Sequence, residues 1–179
     1  MSTGSKSTLS KKMCLIGDFG VGKTSLIRRF VDRQFSDQYL STVGVKISRK
    51  LVEGQEPGIK DLQLLIWDIE GSTKFKAIAP SYLQGAKAAI VVGDVTRQET
   101  LDRLSEHVES FLAINPQGVV AVALNKADLV EEKTLIDLLQ LLPLQNQPRV
   151  LTVCATSAKT GKAVDDVFQT LTQQMMESE

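Results

Sequence analysis

The sequence predicts an α/β fold, in which helices cover both faces of a six-stranded, mostly parallel sheet with one antiparallel strand. Short apolar runs alternate with segments of helical spacing, which is the pattern of a sheet covered by helices. Two successive strand-like runs are instead joined by a turn-type cluster at 54–58, which favours an antiparallel pair. Strands are predicted at 12–17, 45–52, 62–67, 86–94, 119–124 and 150–154, and helices at 23–33, 73–83, 98–113, 131–141 and 162–176.

Each kind of element has its own signal along the chain. The first strand ends at Gly17, and the segment that follows has apolar residues at Leu26, Ile27 and Phe30, one face of a helix. The runs at 86–94 and 119–124 are continuously apolar and β-branched, as expected for strands buried on both faces. A helix-like segment follows each of these runs, which predicts parallel crossover connections.

Length and composition indicate one ordinary globular domain. The 179 residues are 42% hydrophobic and 23% charged, and we predict a single domain at 11–176 after a flexible segment at 1–10. The formal net charge is zero, which argues against nucleic-acid or membrane binding through overall charge. No apolar run approaches the roughly 18 residues that span a bilayer. The C-terminal residues contain no cysteine for prenylation, so we expect a cytoplasmic protein without a lipid anchor.

A phosphate-binding loop is predicted between the first strand and the first helix. Residues 17–24 read Gly-Asp-Phe-Gly-Val-Gly-Lys-Thr and fit the pattern G-x-x-x-x-G-K-[ST]. Glycines let successive backbone N–H groups converge on phosphates, and the following helix adds its positive dipole end. Lys23 would reach the β- and γ-phosphates, and the Thr24 hydroxyl would ligate Mg²⁺. The predicted nucleotide contacts here are Gly17, Phe19, Gly20, Val21, Gly22, Lys23, Thr24 and Ser25.

A second motif predicts recognition of the base. Asn125, Lys126 and Asp128 follow the strand at 119–124, so they lie at the carboxyl edge of the sheet, where open α/β folds bind ligands. The Asp128 carboxylate can accept hydrogen bonds from the N1–H and the exocyclic amine of guanine. Adenine presents the wrong pattern and would leave Asp128 unpaired, which is a strong basis for rejecting it. The sequence therefore predicts that the protein binds a guanine nucleotide.

These motifs, in this order, resemble the Ras superfamily of small GTPases and its Rab-like branch, over about residues 11–176. The resemblance implies GTP, GDP and Mg²⁺ as ligands. Residues 67–71 resemble a W-D-x-x-G motif, which implies that Asp68 lies near Mg²⁺ and the Gly71 amide near the γ-phosphate. Thr42 matches the switch threonine that closes on Mg²⁺ and the γ-phosphate. The implied metal ligands are therefore Thr24, Thr42 and Asp68. The missing anchor cysteine suggests a cytosolic relative, and one alternative is a prokaryotic member.

Further matches to the family complete the predicted site. Phe35 matches the aromatic residue that packs edgewise on guanine, and Tyr39 is included as a nucleotide contact. The loop Ser157, Ala158 and Lys159 matches the one in which the alanine amide meets the guanine carbonyl oxygen. The family also implies that protein effectors, and a regulator, bind segments 36–50 and 67–85. The oligomeric state is left open.

Three positions depart from the family pattern around the reacting phosphate. Ser72 stands where active members carry the glutamine that orients the attacking water. Phe19 is bulky where a small residue is usual, and Glu70 puts a carboxylate close to the triphosphate. Glu70 either holds the water in place of the missing glutamine or points outward into solvent. The predicted catalytic set is Lys23, Thr42, Glu70, Gly71 and Ser72.

Two functions therefore stay open. The first is a slow GTPase that cycles between GTP-bound and GDP-bound states, with its loops ordered by the γ-phosphate. The second is a GTP-binding scaffold or signalling module with negligible turnover. An ATP-dependent kinase or ATPase is disfavoured by Asp128 and Ala158, and no arginine directly precedes Thr42 to act as an internal arginine finger.

Other polar and apolar features are interpreted as structural. His107 is predicted to be a surface residue of the helix at 98–113, and the arginines at 28, 29 and 33 are predicted to form a solvated stripe. The leucine-rich segment 135–144 is predicted to be a core helix, with a partner-binding surface as the alternative.

Overall fold

A computed structural model describes residues 7–37, 44–71 and 79–178. The strands are β1 (Thr8–Gly17), β2 (Val45–Val52), β3 (Asp61–Ile69), β4 (Ala86–Asp94), β5 (Val119–Asn125) and β6 (Val150–Ala155). The helices are α1 (Lys23–Asp32), α2 (Ala79–Leu83), α3 (Gln98–Asp102), α4 (Leu104–Ile114), α5 (Glu132–Leu141) and α6 (Val164–Glu177). Within the described ranges, no helix is both long enough and apolar enough to cross a membrane.

The six strands form one sheet in the order β2-β3-β1-β4-β5-β6. Only the β2–β3 pair is antiparallel, with Val45 opposite Ile69, and the other four pairs are parallel. Two apolar clusters lie on opposite faces of the sheet. One contains Phe30 of α1 and Phe168 of α6, and the other contains Phe111 of α4 and Leu135 of α5. The predicted fold class is confirmed.

The first strand begins earlier than predicted. β1 starts at Thr8 and pairs with β3 from Thr8 to Leu15, so residues 8–10 belong to the sheet and not to a flexible terminal segment. The apolar pattern misses this half of the strand because Lys11 lies in it. The Lys11 ammonium bonds the carbonyl oxygens of Met175 and Ser178 at the C-terminal end of α6, where a positive charge is favourable.

The helix predicted at 98–113 is two helices. It breaks at Arg103, whose N–H donates to the Leu101 carbonyl and whose φ and ψ are −95° and −1°. The Arg103 side chain extends to the loop after β1, a distant contact that the helical periodicity does not report. The predicted helix at 73–83 is described only from Ala79 onward.

The leucine-rich segment contains both core and surface positions. Leu135 and Leu144 are buried, whereas Ile136 and Leu141 are exposed, Leu141 at 79%. The segment spans α5 and a short 3₁₀ turn at Pro143–Asn146, so its apolar residues do not share one helical face. The core-helix interpretation therefore holds for only part of the segment.

Contact between α1 and α6 provides a test of how the first cluster stabilises the fold. The Phe30 and Phe168 rings stack with centroids 4.0 Å apart. Replacing Phe168 by Ala should lower the free energy of unfolding by about 3–5 kcal/mol, because it removes a fully buried ring and leaves a cavity. Leu141→Ala is the matched control and should change it by less than about 0.5 kcal/mol. Urea denaturation of both variants measures the difference, and equal losses would contradict this assignment of the core.

Candidate functional site

The loop between β1 and α1 depends on glycine. Gly20 and Gly22 have φ values of +74° and +102°, which L-residues with a side chain rarely adopt. A Cβ atom at Gly22 would also lie 2.3 Å from Nδ2 of Asn125. The N–H groups of the first helical turn have no acceptor within α1 and are suited to bind an anion. The geometry thus fits a phosphate-binding loop.

Lys23 lies at the start of α1 and is buried in this loop. Its ammonium donates to the carbonyl oxygens of Gly17 at 2.8 Å and Asp18 at 2.9 Å. Burial lowers the pKa of the Lys23 ammonium to about 8, although the carboxylates of Asp68 and Asp18 oppose this shift. A phosphate at this position would supply the negative charge that the buried ammonium needs.

Two oxygen-bearing side chains suited to a divalent cation meet beside the loop. Asp68 of β3 is buried, and the Thr24 hydroxyl donates a hydrogen bond to its carboxylate. Carboxylate and hydroxyl oxygens suit Mg²⁺, which is bound by few protein groups together with phosphate oxygens and water. The pair therefore fits the predicted metal site. Thr42, the third predicted ligand, lies outside the described residues, as do Tyr39 and Ser72.

Asn125, at the end of β5, connects two loops of the site. Its side-chain Nδ2 donates to the Val21 carbonyl at 3.0 Å, and its Oδ1 accepts from the Thr156 hydroxyl at 3.2 Å. Lys126 adds a second connection, since its ammonium donates to the Gly20 carbonyl and pairs with Asp94, both at 2.9 Å. These contacts fix the phosphate-binding loop relative to the loop that follows β5.

Asp128 is held by the loop after β6. The Ser157 hydroxyl donates to Asp128 Oδ1 at 2.7 Å, and the Thr160 N–H donates to the Ser157 hydroxyl at 3.1 Å. Arg29 holds the same loop from α1, with its Nε donating to the Ala158 carbonyl at 2.7 Å. The sequence interpretation of Arg29 as part of a solvated stripe is therefore wrong.

These loops surround one cavity of about 280 Å³. It joins the phosphate-binding loop, the two predicted base-binding loops, the segment after α1 and the end of β3. Its lining residues are Phe19, Gly20, Gly22, Lys23, Thr24, Ser25, Phe35, Ser36, Asp37, Glu70, Gly71, Asn125, Lys126, Asp128, Leu129, Ala158 and Lys159. Of the predicted site residues that the structure describes, Gly17, Val21, Asp68 and Ser157 are buried and do not line the cavity.

Glu70 bonds to the backbone at the start of β2. Its carboxylate accepts from the Gly44 N–H at 2.6 Å, and its own N–H donates to the Gly44 carbonyl at 2.9 Å. The carboxylate therefore does not point freely into solvent, which corrects the outward-facing interpretation, and the interpretation in which Glu70 holds the attacking water stays a prediction. Gly71 packs directly on the loop after β1, where a Cβ atom would lie 2.6 Å from the Phe19 nitrogen.

Three side chains that the sequence did not assign to the site also reach the phosphate-binding loop. Arg97 donates to the Phe19 carbonyl at 2.7 Å, and Arg103 pairs with Asp18 at 3.2 Å. His107 is half-buried, and its Nε2 lies 3.0 Å from Asp18 Oδ1, so its assignment as a plain surface residue is wrong. The one available signal was the four-residue spacing of Arg103 and His107, which puts them on one helical face.

Comparison with known proteins agrees with this geometry. The family model described as the Ras family matches residues 12–177. The chain belongs to the Ras family. It is 33% identical to the Ras-related protein RABF2a of Arabidopsis thaliana over 98% of this chain and 86% of the relative. It is 39% identical to human Ras-related protein Rab-22A over 70% of this chain and 64% of the relative. It is 33% identical to the GTP-binding protein ypt5 of Schizosaccharomyces pombe over 94% of this chain and 79% of the relative.

Membership of the Ras family, with Rab-named relatives, identifies the protein as a Rab-like small GTPase that binds GTP and GDP with Mg²⁺. Proteins of this family act as nucleotide-controlled switches. When bound, Mg²⁺ neutralises phosphate charge, and Thr24 and Asp68 are the described residues that would hold it.

The pKa of Lys23 generates a pH prediction for this Ras-family site. Phosphates favour the charged ammonium, so binding should raise the lowered pKa again and take up protons at alkaline pH. With a pKa of about 8, we expect this group to take up a large fraction of a proton per GDP at pH 8.5 and a much smaller fraction at pH 7.0.

Calorimetry in buffers of different ionisation enthalpy measures this uptake. Lys133→Gln, on the exposed side of α5, is the matched control and should leave the uptake as it is in the native protein. A binding enthalpy at pH 8.5 that is the same in all buffers would refute the assignment of Lys23 as the phosphate ligand that titrates.

Proposed function

We propose that this protein is a GTP/GDP switch whose isolated chain hydrolyses GTP slowly, and that its site residues act in the roles predicted from the sequence. The observation that carries the proposal is the single cavity in which Lys23 and Asp128 stand on opposite loops. One loop matches the chemistry of phosphates and the other that of guanine. Asn125 connects them, which supports one ligand spanning both.

The base-binding role rests on Asp128 and its support. One oxygen of its carboxylate accepts from Ser157, and a carboxylate has lone pairs for further donors, such as N1–H and the amine of guanine. Ala158 lines the same part of the cavity and is buried, which suits a backbone contact to the base. Phe35 lines the cavity as well and supports an aromatic contact with the ring.

Slow hydrolysis is expected because the chain has no glutamine at position 72 and because the bulky Phe19 side chain lies at the site. Phosphoryl transfer in this class depends on positioning and charge stabilisation, and Ser72 is too short to orient water as a glutamine amide does. Phe19 lines the cavity and is 46% exposed, which supports the proposal that its ring obstructs an arginine supplied by a partner. Arg97 reaches the same turn, but its guanidinium bonds the Phe19 carbonyl and Glu99.

The same loops support partner recognition. β2 is an edge strand, and its Ile47 and Leu51 side chains are exposed. An effector that binds segments 36–50 and 67–85 would contact both strands of the β2–β3 pair at the end where Val45 lies opposite Ile69. The alternative function, a GTP-binding module with negligible turnover, uses the same surfaces and differs only in the rate of hydrolysis.

Nucleotide choice tests the base-binding role. Asp128→Asn should weaken GTP binding by about a hundredfold or more, because two charge-assisted hydrogen bonds of about 1.5 kcal/mol each are lost. The variant should gain affinity for xanthine nucleotides, whose carbonyl at position 2 meets the new amide donor. Competition against a fluorescent GDP analogue measures both effects, and Asp137→Asn on α5 is the matched control. A native protein that binds ATP as tightly as GTP would exclude guanine recognition.

A single-turnover assay tests the proposal that the isolated protein hydrolyses GTP slowly. We expect the isolated protein to hydrolyse GTP at or below about 10⁻⁴ per second, the intrinsic level of this class. Ser72→Gln should raise the rate by no more than about tenfold, because Phe19 stays in place, and adding Phe19→Gly should raise it further.

Three outcomes of this assay have different meanings. A native rate above about 10⁻² per second without a partner would refute slow turnover. GTP binding with no measurable hydrolysis would favour the module without turnover. Loss of a measurable rate in Glu70→Ala would show that Glu70 has taken over the attacking water.

A further inference from the structure

Glu70 and Gly44 form a reciprocal pair of hydrogen bonds that we call the Glu70–Gly44 clasp. The backbone bond, from the Glu70 N–H to the Gly44 carbonyl, continues the antiparallel pairing beyond Val45 and Ile69. The side-chain bond returns from the Gly44 N–H to the Glu70 carboxylate at 2.6 Å. Gly44 follows the segment 38–43, and Glu70 precedes 72–78. The clasp therefore joins the ends of the two segments that carry Thr42 and Ser72.

The carboxylate of the clasp also belongs to the phosphate half of the cavity. Glu70 and Gly71 line it together with Lys23 and Phe19. Gly71 lies so close to the phosphate-binding loop that a Cβ atom would meet the Gly17 carbonyl oxygen at 2.5 Å. Glu70 is also among the carboxylates whose charge favours the protonated form of Lys23. A negative charge is thus held in the lining of the same cavity as Lys23, the group predicted to bind the β- and γ-phosphates.

The negative charge of Glu70 would repel GTP more strongly than GDP. GTP carries one phosphate more than GDP and hence more negative charge at the Lys23 end of the site. Like charges repel most strongly where burial reduces screening by solvent and salt. The clasp holds Glu70 by its carboxylate, so turning the side chain away from an added phosphate would cost the bond to Gly44.

We propose that Glu70 is a nucleotide-state selector: its carboxylate, held in the clasp, disfavours GTP relative to GDP and couples the γ-phosphate to the Gly44 end of β2. This inference rests on the proposed nucleotide-binding role of the cavity. It differs from a role in activating water, because it concerns the affinities for the two nucleotides and not the rate of the chemical step.

Two substitutions separate the charge from the hydrogen bond. Glu70→Gln keeps a side-chain oxygen that can accept from the Gly44 N–H but removes the negative charge. Glu70→Ala removes both, and Glu109→Gln, on the exposed side of α4, is the matched control for loss of one carboxylate. Affinities for GDP and for a non-hydrolysable GTP analogue are measured with Mg²⁺ by displacement of a fluorescent GDP analogue.

For Glu70→Gln we expect the affinity for the GTP analogue, relative to that for GDP, to rise by about tenfold, since one repulsive charge is lost. Glu70→Ala should raise the ratio too and, unlike Glu70→Gln, should speed hydrogen exchange of the Gly44 amide. Glu109→Gln should leave the ratio as it is in the native protein.

An increase of less than about threefold in Glu70→Gln overturns the inference, and a larger increase supports it. If Glu70→Gln does not fold, the ratio measured in Glu70→Ala decides by the same threshold. Tight binding of both nucleotides with an unchanged ratio would refute the selector alone. Failure of the native protein to bind either nucleotide would refute the proposed function as well.

Discussion

The geometry of the site depends on the buried side chain of Asn125. Its amide satisfies the Val21 carbonyl on one side and the Thr156 hydroxyl on the other, and only 1% of the residue is exposed. Losing the amide would leave two buried polar groups unpaired, at about 1–3 kcal/mol each. The same amide excludes any side chain at Gly22. One buried residue thus contacts both the phosphate-binding loop and the loop after β6.

Charge around the phosphate-binding loop is balanced by residues from other elements. Asp18 is paired with Arg103 and His107, and Asp94 is paired with Lys126. The carboxyl group of Asp94 is fully buried, yet its pKa is lowered, because the hydrogen bonds from Thr96 and the ammonium of Lys126 outweigh the effect of burial. Asp18 and Asp94 are thus each paired with a cationic side chain from another part of the chain, which helps to hold the loops of the site in position for a ligand.

Local patterns predicted the elements well, and distant contacts account for what they missed. The strand, glycine turn and helix around residues 17–24 follow from short-range rules, and so do β2 and β4, whose bounds match the prediction. The partners of His107, Arg97 and Arg29 lie 89, 78 and 129 residues away in the chain. No helical spacing or charge pattern in the sequence identifies partners at such distances along the chain. They become visible only once the sheet order brings these segments together.

Different contacts hold the two ends of strand β2 in the β2–β3 hairpin. β2 is an edge strand with a single neighbour, so its position depends on β3 and on side-chain anchors. Lys50 is such an anchor, since its ammonium donates to the Phe30 carbonyl at 2.6 Å and lies 4.0 Å from the Phe30 ring centroid. That carbonyl belongs to the last turn of α1, where a cation is favoured. The half of β2 away from the cavity is therefore tied to a core helix, while the Gly44 end is tied to Glu70. In the selector role proposed for Glu70, a change of charge in the cavity would act on this second attachment, whereas the Lys50 anchor would hold the other half of the strand in place.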